Sequence, residues 1–138
     1  ELDMVLNVSE LVSGNLAAVQ ADIAAVVEAT RPLDSEAIVK VIFETAFLND
    51  ELIVKACELT EKAGADYVKT STGFAPTGAI LEDVKLMRAS VSPKMEVKSA
   101  GGVKNLDMLL AFMDAGVKRS GASAAAAMLD EFKERFGA

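Results

Sequence analysis

Five short apolar runs, rich in valine or isoleucine, alternate along the chain with longer segments whose apolar positions recur at helical spacing. The runs predict strands at 2–8, 37–45, 65–71, 95–100 and 117–122, and the longer segments predict helices at 17–30, 50–64, 80–91, 106–116 and 123–136. Such alternation is the mark of βαβ units and a parallel sheet. The punctuation agrees. Asn49 and Asn105 stand where helix N-caps belong, and Gly64 and Gly116 follow their helices in "KAGAD" and "DAGVK", where a left-handed residue ends a helix.

Lys40, Lys69 and Lys98 follow one another at intervals of 29 residues, each beside a valine in a strand. That interval is about one strand–helix unit, so the three lysines are expected at comparable heights on successive strands, pointing together into a barrel. Five units do not close an eight-stranded barrel, which needs about 200 residues or more. The expectation is therefore a single domain, 1–138, forming the C-terminal part of a (β/α)8 barrel without its first three units. Its sheet edges and a wide apolar face would be left open to association, as a homo-oligomer or through the barrel edges.

Composition sharpens this picture. The hydrophobic fraction is 51%, much of it alanine and valine, as expected for strands covered by helices. Mean hydropathy is +0.30, but charges interrupt the apolar runs well short of a bilayer span, so no membrane association is expected. The start, Glu1-Leu2-Asp3, lacks the layout of a secretion signal. A net charge of −7 argues against nucleic-acid binding, which needs a basic patch, yet allows one small phosphorylated ligand held by local donors. The single cysteine, Cys57, reads as a core residue of a cytoplasmic protein. Histidine is absent, which removes Ser-His-Asp and Cys-His catalysis and the usual zinc sites. Any chemistry falls to lysine, carboxylates, hydroxyls and backbone.

Lys69, in "ADYVKTSTGF", is the leading candidate. An ammonium in an apolar strand loses hydration, and a second lysine one unit away repels it further, so the neutral amine is favoured. A neutral amine attacks a carbonyl to form an imine, which is an electron sink for C–C cleavage. Lys98 is the matching partner. Asp3 reads from composition as a strand-start carboxylate in water; facing lysines inside a barrel, it would instead move protons through an ordered water. "SAGG" (99–102) and "SGAS" (120–123) each join a strand to a helix, with Ser123 expected as an N-cap, and such turns bind anions. "TSTG" (70–73) offers further hydroxyl and N–H donors, and Lys104 adds charge nearby. The charges of "LDEFKERF" read as a solvated helix face, and the Met and Phe positions of "LDMLLAFMDAG" as core.

"AGADYVKTSTGF" followed by "MEVKSAGGVKN" resembles the deoxyribose-phosphate aldolases. "ELDMVLNVSELVSGN", "VKVIFETAFLNDELIVKACELTEKAGAD" and "GVKRSGAS" extend the resemblance over essentially the whole chain. It implies a metal-free class I aldolase without a cofactor, on a (β/α)8 barrel, cleaving 2-deoxy-D-ribose 5-phosphate reversibly to D-glyceraldehyde 3-phosphate and acetaldehyde. By the same resemblance Lys69 is the Schiff-base lysine, Lys98 tunes it, and Asp3 works with Lys98 and a water. Thr70, Thr72, Gly73, Gly101, Gly102, Gly121 and Ser123 fall on phosphate and sugar contacts, and Lys40 has a supporting role. Ser120 departs from a large apolar residue and Lys104 from arginine. Two other readings stand beside this one: a non-catalytic, self-associating barrel fragment, and a different phosphate-binding barrel enzyme, against which the twin lysines and absent histidine count.

Overall fold

The computed structural model describes residues 1–137. Five parallel strands lie side by side in chain order: β1 (Leu2–Val5), β2 (Val39–Ile42), β3 (Tyr67–Lys69), β4 (Glu96–Ala100) and β5 (Val117–Gly121). Between them run α1 (Val8–Val12) and α2 (Leu16–Thr30), then a 3-10 turn (Thr45–Phe47) with α3 (Asp50–Lys62), then α4 (Leu81–Ser90) and α5 (Leu106–Asp114). α6 (Ala125–Phe136) closes the described chain. All five expected strands form, each at or inside its predicted bounds. The short helix α1 was not foreseen, because five residues span too little of a helical period to register.

Period-two alternation divides each strand between two environments. Val39, Val41, Val68 and Val97 are fully buried and join Val19, Ile23, Ile53, Val84, Met87 and Phe112 from the helices in one core. Burying each such side chain contributes roughly 2 kcal/mol. Cys57 belongs to this core, where burial and the Glu61 carboxylate push its thiol up to about 12. The opposite face carries Asp3, Lys40, Lys69, Lys98 and Arg119. That face mixes these charges with Val5, Ile42 and Tyr67. Apolar surface is also exposed in a groove of about 300 Å³ between α5 and α6 lined by Leu109, Met113, Leu129 and Phe132. Met113 is thus exposed, whereas Phe112 beside it is core as expected.

The helix signals are realised in most places. The Asn49 and Asn105 side chains accept from the Leu52 and Met108 N–H groups, both at 2.9 Å. Gly64 and Gly116 take φ of +81° and +95°. Ser123 does not cap the last helix: α6 starts two residues later, after Ala124, with no side-chain cap. The N-terminal ends of the strands are bound together by arginines. Arg31 pairs with both oxygens of Asp66 at 2.8 Å, and Asp66 also accepts from the Val39 N–H at 2.7 Å. Arg88 donates to the carbonyls of Met95 and Ser92. These contacts stabilise one end of the sheet and leave the C-terminal ends free to carry chemistry.

Register corrects one expectation. Lys69 is opposite Lys98, but Lys40 is opposite Tyr67, while Ile42 faces Lys69. Lys40 therefore sits two residues, one inward position, deeper than the other two. A period in sequence counts chain length and takes no account of stagger between strands.

Candidate active site

One carboxylate gathers all three lysines. The Lys69 ammonium lies 2.7 Å from Oδ2 of Asp3, and that of Lys98 lies 3.4 Å from the same oxygen. Lys40, whose side chain is 2% exposed, takes Oδ1 at 2.6 Å and Oε2 of Glu1 at 3.0 Å. Burial works against the charge of Asp3, but hydrogen bonds from Lys40 and Lys69 and the charge of Lys98 outweigh it and hold the carboxyl well below the usual carboxylate range. Burial likewise opposes the charge of Lys40, and the Asp3 and Glu1 carboxylates more than offset it, so its pKa is raised. Asp3 is accordingly not a strand-start residue left to water. It is an ionised anchor. To the burial and like-charge repulsion expected at Lys69, the structure adds a countercharge in direct contact.

Arg119 extends the cluster across the hollow. Its guanidinium stacks over the Tyr67 ring at 4.9 Å and pairs with Glu1. β1 and β5 are the two edges of the sheet, so this ion pair shows how strongly the sheet curls. Four cationic side chains thus converge inside a chain whose overall charge is −7, which favours an anionic ligand locally.

Beside the lysines opens a cavity of about 650 Å³. Lys69, Lys98, Thr72, Gly73, Gly101, Gly102, Gly121 and Ser123 line it, with Lys104 at its wall. Gly101 and Gly102 take φ of +77° and +72° in the turn after β4, conformations open to glycine at little cost. Asp3 does not line this cavity and reaches it through the two ammonium groups.

Two threonines are used differently from expectation. Thr70 is fully buried, and its hydroxyl donates to the Ala100 carbonyl at 3.2 Å and accepts from the Ala100 N–H at 3.1 Å. It staples the end of β3 to β4 and does not line the cavity. Thr72 does line it, but its hydroxyl already donates to Oε2 of Glu44 and accepts from the Phe74 N–H at 3.1 Å.

Glu44 and Gly78 were not singled out from sequence. Glu44 lies two residues past β2, in "VIFET", and reads as an ordinary strand boundary. Gly78 in "APTGAI" reads as a turn glycine. A Cβ on Gly78 would lie 2.3 Å from the backbone of Gly101, so only glycine permits this close approach.

The DeoC/LacD family aldolase profile matches residues 1–134. The chain belongs to this aldolase family. The deoxyribose-phosphate aldolase of Streptococcus sanguinis (strain SK36) is 53% identical over 129 residues, covering 94% of this chain and 57% of that protein. The solved structure of the aldolase QR15 is 38% identical with a TM-score of 0.87, covering 98% of this chain and 59% of that one. A tetrameric deoxyribose phosphate aldolase from Aeropyrum pernix is 29% identical with a TM-score of 0.83, over 96% of this chain and 55% of that one. The DeoC/LacD chain thus spans a little over half the length of the relatives it matches, and its five-stranded sheet is part of a (β/α)8 barrel. Among the described residues no helix is long and apolar enough to cross a membrane, and no cluster of histidine, cysteine, aspartate or glutamate is placed to hold a metal ion.

Proposed function

We propose that this chain carries the catalytic part of a Schiff-base aldolase that cleaves 2-deoxy-D-ribose 5-phosphate reversibly to D-glyceraldehyde 3-phosphate and acetaldehyde. The observation that carries the reading is the shared contact of Lys69 and Lys98 with Oδ2 of Asp3 at the wall of a cavity.

The deprotonated Lys69 amine attacks the C1 aldehyde of the open-chain sugar, and uptake of a proton with loss of water leaves a protonated imine. The C3 hydroxyl then gives up its proton, and the C2–C3 electron pair moves into the imine. Glyceraldehyde 3-phosphate departs, and an enamine stays on Lys69. Protonation of C2 and hydrolysis release acetaldehyde and restore the amine. Lys98, working with Asp3 and a water, would carry these protons, and the Asp3 carboxylate also holds both lysines in place. Gly101, Gly102, Gly121 and Ser123 would receive the phosphate through backbone N–H and hydroxyl donors, with Lys104 adding charge. Gly73 and the Thr72 backbone would flank the sugar.

Leu2 and Val5 on β1 are about half exposed, which supports association through the open edge, with further copies or with further strands. A cytoplasmic setting accords with the buried, inert Cys57. The direct test is acetaldehyde release from 2-deoxyribose 5-phosphate by the chain and by Lys69→Ala and Lys98→Ala. Release that Lys69→Ala abolishes and Lys98→Ala cuts at least about a hundredfold supports the proposal. A folded chain that releases nothing favours the non-catalytic, self-associating reading.

A further inference from the structure

We infer that Glu44 is a positioning residue for the sugar-binding wall of the cavity, an inference that rests on the aldolase reading above. Two costs meet at this one side chain. Glu44 has φ of +54°, the one non-glycine residue with positive φ among those described, and glutamate has no local hydrogen bond that eases such a conformation. Its carboxylate belongs to a residue only 7% exposed, with no cationic partner among the described ion pairs. A buried carboxylate without a cation is expensive unless donors compensate it.

The compensating donors all come from Thr72. The Thr72 N–H lies 3.2 Å from Oε1 and 3.4 Å from Oε2, and the Thr72 hydroxyl donates to Oε2. Glu44 therefore grips both the backbone and the side chain of the residue three places after Lys69. The grip reaches further than Thr72. Gly73 packs against Gly101, whose Cβ position would be 3.2 Å from the Gly73 Cα. The Ala79 N–H closes the far end of the same loop on the Gly101 carbonyl at 2.9 Å. The loop after β3 and the glycine turn after β4 thus form one unit, and Glu44, from the turn that follows β2, fixes its near end. Both parts line the cavity beside Lys69.

A residue kept for folding alone would not combine a strained backbone with a buried carboxylate that lacks a cation. Glu44→Gly separates the alternatives, because glycine relieves the strain and the buried charge while deleting the grip. The test is calorimetric titration of 2-deoxyribose 5-phosphate into the full chain carrying Lys69→Ala, which blocks turnover, with and without Glu44→Gly. Thermal melting and amide exchange at Thr72 are read alongside.

The expected results are a melting temperature no lower than the parent's, faster exchange at Thr72, and binding weakened about tenfold. Glu44→Gln, which keeps one acceptor for the Thr72 N–H, should stay within about threefold of the parent. Binding within about twofold in Glu44→Gly overturns the inference alone. A melting temperature well below the parent's also overturns it, by assigning Glu44 to the fold. Absence of binding in the Lys69→Ala parent overturns the aldolase reading and the inference with it.

Discussion

Lys69 and Lys98 are register partners on neighbouring strands, and both ammonium groups reach the same oxygen, Oδ2 of Asp3. Lys40, one inward position deeper, holds the other oxygen. The arrangement makes Asp3 the keystone of the inner face, and its removal should be felt in stability as well as in chemistry.

Asp3→Asn should destabilise the fold by about 2–3 kcal/mol, because it leaves Lys40 buried with only Glu1 as countercharge. Lys40→Met should cost less, about 1 kcal/mol or under, since Asp3 keeps two other partners. The pH dependence has a definite sign. The folded pKa of Asp3 is lowered, so its contribution is present above the ordinary carboxylate value of about 4 and is lost as pH falls towards the folded one. The raised pKa of Lys40 gives a contribution present below about 10.4 and lost above it. Urea melts of both variants from acid to strongly alkaline pH check this, and Asp3→Asn should flatten the acid limb.

Thr70→Val should act on the fold and spare the substrate. The change removes both hydrogen bonds between the Thr70 hydroxyl and Ala100, at a cost of about 1–2 kcal/mol. KM should stay within about twofold while the melting temperature falls. A raised KM with unchanged stability would assign Thr70 to the ligand instead.

Gly78→Ala should do the reverse of a harmless turn substitution. Its methyl would press on the Gly101 backbone at 2.3 Å, so one loop must move. Overpacking of this kind costs about 1–3 kcal/mol. Because Gly101 lines the cavity, the shift should appear as a higher KM in steady-state kinetics as well as a lower melting temperature.

Ser120 has a physical reason for its polarity. It shares a 2.8 Å hydrogen bond with Ser99, which is fully buried. Ser120→Ala should cost about 1 kcal/mol by leaving the Ser99 hydroxyl without a partner, and Ser99→Ala in the same chain should recover most of it. Chemical denaturation of the two single variants and the double variant gives the coupling.

Most of the fold was legible because valine-rich strands and amphipathic helices announce themselves by period. The lysine pair was legible because an ammonium is a poor choice in such a strand. The same alternation, followed one residue further, places Thr70 opposite in facing to Lys69 and Ser120 opposite to Arg119, so the outward use of both hydroxyls was available from sequence. The depth of Lys40 was not, since strand stagger leaves no trace in residue spacing. Nor was Glu44. A glutamate at positive φ looks like any glutamate, and its partner Thr72 reads equally well as a ligand contact. Gly78 is similar, because what excludes a side chain there is a backbone from another unit, 23 residues on.

Imine formation at Lys69, in the hollow it shares with Lys98, can be trapped chemically. Incubation with acetaldehyde and borohydride, followed by peptide mapping, addresses it directly. A reduced ethyl adduct is expected on Lys69, absent in Lys69→Ala and diminished in Lys98→Ala. A folded chain that acquires no adduct, or acquires it on surface lysines while Lys69 stays unmodified, would contradict it.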